Sequence, residues 1–106
     1  MEGFKPTPYV LHIALQDGFD DDLVVVTVNN AEVFRKDGVR TDPRIGLATA
    51  FELPAAAGRT VIRAELPRRH MTGSLAVDPS SSAHVAISVM GGELRLSPTS
   101  QPFGYA

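Results

Sequence analysis

The sequence predicts an all-β fold, an antiparallel two-sheet sandwich of seven or eight strands. Hydrophobic and polar residues alternate along the chain with a period of two, which is the pattern of strands with one buried face. Gly, Pro, Asn or Asp interrupts this alternation every 6 to 12 residues, as the turns of a sandwich do. The length of 106 residues suits one compact domain, so residues 1–106 are predicted to form a single β-sandwich domain.

The first strands are predicted at residues 9–16 and 23–28. The alternation of the first strand puts Leu11, Ile13 and Leu15 on one face, and the second strand is apolar on both faces, as a central strand is. Two asparagines at residues 29 and 30 tolerate positive φ and predict a two-residue hairpin turn. That turn sets a register in which Val26 faces Val33 and Val25 faces Phe34.

Residues 45–53 are predicted to form the next strand, after an irregular crossing bracketed by Asp37-Gly38 and Asp42-Pro43. A four-residue turn over 55–58 then predicts a hairpin that pairs Phe51 with Ile62, Thr49 with Ala64 and Leu47 with Leu66. A short helix within 46–58, ending near Pro54, is the alternative for this alanine-rich segment.

The last hairpin is the clearest local feature. Gly91 and Gly92 supply the positive φ angles of a tight turn without steric cost. A register centred on them pairs Val89 with Leu94 and Ile87 with Leu96 inside, and Met90 with Glu93 and Ser88 with Arg95 outside. A short strand at residues 74–78 and a loop at 79–82 precede it.

Composition excludes several classes of function. The sequence contains no cysteine, which removes disulfides, thiolate metal sites and cysteine nucleophiles. The net charge of −2 does not supply the basic field that nucleic-acid binding requires. No stretch approaches the roughly 18 consecutive apolar residues of a membrane span, and no secretory signal is visible, so a cytoplasmic protein without a membrane or nucleic-acid partner is expected.

No residue stands out as catalytic, cofactor-binding or metal-ligating. His12 and His84 fall on the outward phase of their strands and would meet if those strands were neighbours, whereas the sequence favours three scattered surface histidines, His70 being the third. The serines at 80–82 follow Asp78-Pro79, where serine is a common turn residue. We therefore expect no enzyme activity, no cofactor and no metal site.

Two charged segments offer binding hypotheses. Asp17, Asp20, Asp21 and Asp22 could supply several of the oxygens that Ca²⁺ takes, although a solvated turn with Asp17-Gly18 at its tip is the simpler interpretation. A basic loop, formed by residues 68–70, could bind an anionic ligand or an acidic partner, including the aspartates of a second copy.

A stripe of small residues, Gly46, Ala48 and Ala50, shares one face of the strand predicted at 45–53. So flat a surface is expected to be covered, either by a C-terminal tail that carries Phe103 and Tyr105 or by another subunit.

The hairpin of residues 26–34, with the sequence VTVNNAEVF, and the series of short strands around it resemble the prealbumin-like (transthyretin-like) sandwich and its immunoglobulin-like relatives. The whole chain also resembles small uncharacterised bacterial proteins that close with Pro-Phe-Gly-Tyr, here residues 102–105. The resemblance implies a fold without an established activity. One branch of the group, the transthyretin-related hydrolases of hydroxyisourate, uses histidines, an arginine and a C-terminal Tyr-Arg-Gly-Ser, of which only Tyr105 is matched here.

From these observations we expect a non-catalytic interaction or accessory β-sandwich module that binds a protein partner or forms a homo-oligomer. A small transthyretin-related hydrolase and a calcium-binding module that uses the 17–22 acidic loop are the alternatives. A hydrolase requires histidine and arginine side chains to converge in a pocket, and a calcium module requires ordered aspartates around residues 17–22.

Overall fold

In a computed structural model of the protein, which describes residues 7–99, eight strands form two four-stranded sheets. The strands are β1 (Tyr9–Leu15), β2 (Asp22–Val28), β3 (Ala31–Val39), β4 (Thr49–Ala55), β5 (Thr60–Leu66), β6 (Met71–Val77), β7 (His84–Met90) and β8 (Glu93–Thr99). One 3-10 turn, Pro67–Arg69, joins β5 to β6. The all-β prediction is confirmed, and so is the choice of a strand over a helix at 49–55.

The strand order is β4-β1-β7-β8 in sheet 1 and β3-β2-β5-β6 in sheet 2. Every pair is antiparallel except β1 with β7, which run parallel with Ile13 opposite Val85. The predicted fully antiparallel sandwich is wrong at this pair. Two strands can be parallel neighbours here because the long connection between them carries the chain through sheet 2 and back.

The core lies between the two sheets and is built from the inward phase of the central strands. Its largest fully buried side chains come from β1, β2, β5 and β7: Leu11, Ile13, Leu15, Val24, Val26, Ile62, Leu66, Val85 and Ile87. In β1 and β7 these positions alternate with polar or small ones, so the period-two pattern selects the core residues there as predicted, whereas β2 is apolar on both faces, with Val25 7% exposed. Within residues 7–99, no helix is long and apolar enough to cross a membrane.

Two of the three predicted hairpins form, and the predicted register holds along the whole of one and only part of the other. Gly91 and Gly92 have φ angles of 60° and 79°, and all four predicted pairs of the β7–β8 hairpin are present. The asparagine turn also forms, with φ angles of 51° and 69°. Its register shifts after two pairs, because a bulge brings Phe34, instead of Val33, opposite Val26.

The predicted β4–β5 hairpin is wrong. Phe51 pairs with Ile13 of β1, whereas Ile62 pairs with Leu75 of β6, so the turn at 56–59 carries the chain from one sheet to the other. Both arrangements turn Phe51 toward the core, and the alternation therefore does not distinguish them. The strand also starts later than predicted, since residues 43–46 form a turn that leaves Ile45 exposed.

Two further boundaries differ from the prediction. Residues 37 and 38 belong to β3 instead of an irregular crossing, and β6 begins at Met71, before the predicted start at residue 74.

Candidate functional site

The outer face of sheet 1 is formed by those side chains of its four strands that point away from the core. Two adjacent rows of side chains cross it in the order β4, β1, β7, β8. One row is Glu52, His12, His84 and Thr99, and the next is Ala50, Ala14, Ala86 and Ser97. Two titratable rings thus stand at the centre of a row beside a row of small side chains.

His12 and His84 stack on each other. Their ring centroids are 4.5 Å apart and their planes differ by 6°. The parallel pairing of β1 with β7 places the two residues directly opposite, so the contact follows from the register. The prediction of three scattered histidines is wrong for this pair, although their shared outward phase was visible in the sequence. His70 lies apart from them, in the turn after Arg69.

Glu52 completes this cluster from the β4 side. Its Oε2 lies 3.0 Å from His12 Nδ1, and about a third of the His12 side chain is exposed. A carboxylate at Nδ1 favours the tautomer that carries its proton there, which leaves Nε2 of a neutral ring with a free lone pair. The cluster can therefore present one oriented imidazole nitrogen beside a second imidazole.

The surroundings of the cluster are apolar and small. Ala14 is fully buried, whereas Val10 is 45% exposed and Met90 is 50% exposed, both on the outward phase of their strands. The outer face of sheet 2 carries the exposed charged or polar side chains of Glu32, Arg35, Arg63, Thr72 and Ser74, beside the exposed Ala76. Sheet 1 also exposes charged side chains on its outer face, namely Glu52, Glu93 and Arg95, so the two faces differ in their central rows and not in the presence of charge.

The predicted small-residue stripe divides among three environments. Ala50 lies on the outer face of sheet 1, but Ala48 packs against the core and Gly46 sits in a turn with a φ angle of 68°. The predicted continuous stripe is wrong, because the strand begins only at Thr49. Phe103 and Tyr105, which were expected to cover it, lie outside the described residues.

The acidic run and the basic loop bind each other within one chain. Arg69 donates to both carboxylate oxygens of Asp22 at 2.9 and 2.6 Å, and to the Gly18 carbonyl oxygen at 3.2 Å. Arg68 makes a bidentate pair with Asp37 at 2.9 and 2.8 Å. The basic loop therefore forms ion pairs with carboxylates of its own chain. One hypothesis from the sequence was the same kind of contact, between the loop of one copy and the aspartates of another.

Asp22 is the buried member of this cluster, with 5% exposure. Burial raises the pKa of its carboxyl, but the hydrogen bonds from Arg69 and from the Asp20 N–H, with the charges of Arg69 and Arg68, outweigh burial and hold that pKa below its ordinary value. The carboxylate of Asp22, the most buried aspartate of the run, is thus already paired with Arg69. This pairing gives no support to the hypothesis that the run binds Ca²⁺. In residues 7–99, no three His, Cys, Asp or Glu side chains are grouped so as to hold a metal ion.

The serine-rich turn has a structural explanation. Ser80 donates from both its backbone N–H, at 3.0 Å, and its hydroxyl, at 2.7 Å, to Asp78 Oδ1. The same oxygen accepts from the Gly58 N–H at 3.1 Å. Ser80 is thus a turn residue, as predicted, and Asp78 also ties this turn to the one at Gly58, which was not predicted.

Two depressions on the surface of residues 7–99 are shallow. One of ≈ 300 Å³ is lined by His70, Met71, Thr72, Gly92, Glu93 and Leu94, and one of ≈ 230 Å³ by Arg63, Thr72, Gly73 and Ser74. Comparison of the chain with protein families, with curated proteins and with solved structures finds no match in any of the three.

Proposed function

We propose that this chain is a non-catalytic interaction module that pairs with a second copy of itself through the outer face of sheet 1. The supporting observation is the contrast between the two outer faces. The row Ala50, Ala14, Ala86 and Ser97 crosses the outer face of sheet 1, whereas the row Glu32, Thr27, Arg63 and Ser74 crosses that of sheet 2. A face with such a row of small, mostly apolar side chains is a candidate for a protein contact.

A second copy fits this face because its rows are nearly symmetric about their centre. The alanine row reads Ala50, Ala14, Ala86, Ser97, so all four of its side chains are small. A two-fold axis parallel to the strands, between β1 and β7, sets the exposed Ala50 of one copy against the exposed Ser97 of the other. Such an isologous contact needs one self-complementary patch, and small side chains allow two sheets to approach closely.

The prealbumin-like assignment, a protein-binding role and a cytoplasmic location belong to this proposal as well. Two four-stranded sheets around a single core, with β1 central in its sheet, support the assignment to that group.

Light scattering with size exclusion tests the proposed pairing. We expect a dimer whose dissociation constant rises about tenfold or more in Ala86→Lys and Ala50→Lys, because each charge would have to be desolvated at the contact. Thr72→Lys, on the outer face of sheet 2, is the matched control and should leave the dimer intact. A wild-type chain that stays monomeric at high concentration, or a dimer equally sensitive to Thr72→Lys, would refute the pairing.

A second candidate function is favoured by the contact between His12 and His84. We propose as this alternative a small hydrolase in which the Nε2 of His12 acts as a general base toward a bound water. Arg95 lies on the same face, opposite Ser88 of β7, and is the arginine available to orient an anionic substrate.

Turnover of hydroxyisourate, followed by its ultraviolet absorbance, tests this alternative. We expect the rate above the uncatalysed reaction to disappear in His12→Asn and His84→Asn and to persist in His70→Asn. No turnover by the wild-type chain would exclude this substrate and, with it, the resemblance-based hydrolase.

A further inference from the structure

We propose that His12 and His84 together bind one divalent transition-metal ion of the Zn²⁺, Ni²⁺ or Cu²⁺ class, with Glu52 positioning His12. This inference goes beyond the proposed pairing: a single chain supplies both imidazoles, and in the proposed pair the same face of the second copy would lie over them. Imidazole nitrogen is the ligand that these three ions share, whereas Ca²⁺ and Mg²⁺ take oxygen.

The backbone already holds the two ligands at a suitable distance. His12 and His84 are directly opposite on adjacent parallel strands, and their rings lie 4.5 Å apart. A metal that binds each nitrogen at about 2.0 to 2.1 Å needs the two nitrogens roughly 3 Å apart. The stacked rings would have to turn about their Cβ–Cγ bonds for one nitrogen of each to face the same ion, while the two strands keep their register.

Glu52 provides the outer contact that metal-bound histidines have in most proteins. A ligating imidazole usually donates its other N–H to a carboxylate, which fixes the tautomer and the ring orientation. His12 Nδ1 faces Glu52 Oε2 at 3.0 Å, so the nitrogen left for the ion is Nε2. Glu52 is thus a positioning residue and not a third ligand.

The site has two protein ligands. The neighbouring row carries the small side chains of Ala14 and Ala86. Since no third His, Cys, Asp or Glu of residues 7–99 joins the pair, water completes the coordination. Affinity should then follow the general order for such ions, with Cu²⁺ bound more tightly than Ni²⁺ or Zn²⁺.

The test is a metal titration of tag-free full-length protein, followed by the NMR signals of the imidazole ring protons. The chain contains three histidines and no cysteine, so every strong nitrogen or sulfur side-chain ligand is accounted for. We expect Zn²⁺ to shift, and Cu²⁺ to broaden, the signals of His12 and His84 together, at metal concentrations that leave those of His70 unchanged. Ca²⁺ should change none of the three.

Variants separate the roles of the residues. His12→Asn and His84→Asn should each lower Zn²⁺ affinity by about tenfold or more, and His70→Asn should leave it unchanged. Glu52→Leu should lower the affinity by about tenfold and shift the ¹⁵N signals of His12 toward the other tautomer, while Glu52→Gln, which can still accept from Nδ1, should retain the wild-type tautomer.

Three results would overturn the proposal: equal responses of all three histidines to Zn²⁺, wild-type affinity in either His12→Asn or His84→Asn, or an equal response to Ca²⁺. Each variant's thermal unfolding curve verifies that it folds. If a variant does not fold, the wild-type titration still decides between a paired and an independent response.

Discussion

Phe34 and Phe51 stack across one open side of the sandwich, with ring centroids 4.4 Å apart and planes within 8° of parallel. Phe34 belongs to β3, the edge strand of sheet 2, and Phe51 belongs to β4, the edge strand of sheet 1. Strands of different sheets share no backbone ladder, so this aromatic contact joins two edges that are otherwise unpaired.

Unfolding free energies of variants that lack one or both rings should show that the two rings stabilise the fold through their mutual contact. We expect Phe34→Ala and Phe51→Ala each to lower the free energy of unfolding by about 2 to 3 kcal/mol, since both rings are half-buried. The double variant should lose less than the sum of the two by about 0.5 to 1.5 kcal/mol, the coupling of an aromatic pair. Urea unfolding of the four proteins measures this coupling, and full additivity would show that the rings stabilise the fold independently.

The opposite side of the sandwich closes by a backbone approach at Gly73. A Cβ at this position of β6 would lie 2.5 Å from the Leu94 carbonyl oxygen and 2.9 Å from Leu96 Cδ1, both on β8. We expect Gly73→Ala to lower the free energy of unfolding by about 1 to 3 kcal/mol, because the two edge strands would have to separate. Ser74→Ala, at the exposed neighbouring position, should change it by less than about 0.5 kcal/mol.

The Asp22–Arg69 pair predicts a dependence of stability on pH. A carboxyl whose pKa is lower in the folded than in the unfolded state stabilises the fold above its unfolded pKa, and this contribution is lost as the pH falls through the folded pKa. The contribution of Asp22 should therefore be complete at neutral pH and be lost in acid, below the ordinary pKa of 3.8. Urea unfolding of the wild type between pH 7 and pH 2 should show this loss.

Asp22→Asn should remove that acid-dependent part and cost about 2 kcal/mol at neutral pH, because it leaves Arg69 without its buried partner. Asp37→Asn is the matched control, since Asp37 pairs with Arg68 but its side chain is 62% exposed. Exposed pairs contribute little to stability, so this variant should keep most of the acid-dependent loss of stability seen in the wild type. Equal profiles for the two variants would contradict the assignment to Asp22.

Asn29 combines two roles in the first hairpin turn. It has a φ angle of 51°, and its side-chain oxygen accepts from the Val61 N–H at 2.9 Å. Asn29→Ala loses both and should lower the free energy of unfolding by about 1 to 2 kcal/mol. Asn29→Gly keeps the conformational freedom and loses only the hydrogen bond, so it should cost about half as much in the same thermal or urea measurement.

The two hairpins show which part of a register a sequence determines. Between β7 and β8 the alternation is regular and a one-residue slip would bury Arg95, so only one pairing is acceptable. In the first hairpin, Val33 and Phe34 are both apolar, and the sequence does not indicate which of them faces Val26. The stack of Phe34 on Phe51, a contact between distant residues, accompanies the bulge that the local pattern did not predict.

The candidate site was predicted only in part for a related reason. Alternation correctly placed His12 and His84 on the outward phase, because phase is a local property of each strand. Their contact depends on β1 and β7 being neighbours, which is a property of the topology. The pairing of Glu52 with His12 was not anticipated, since β4 was predicted to pair with β5.

The central position of β1 in sheet 1 has a consequence for biosynthesis. β1 is made first among the described strands, yet one of its two neighbours, β7, is made next to last. While the ribosome synthesises the intervening segment, one edge of β1 and its row of apolar side chains stay uncovered, and closure has to wait for long-range contacts. Nascent chains stalled before His84 should therefore be protease-sensitive and bound by chaperones, and protection should appear only once β7 has left the exit tunnel.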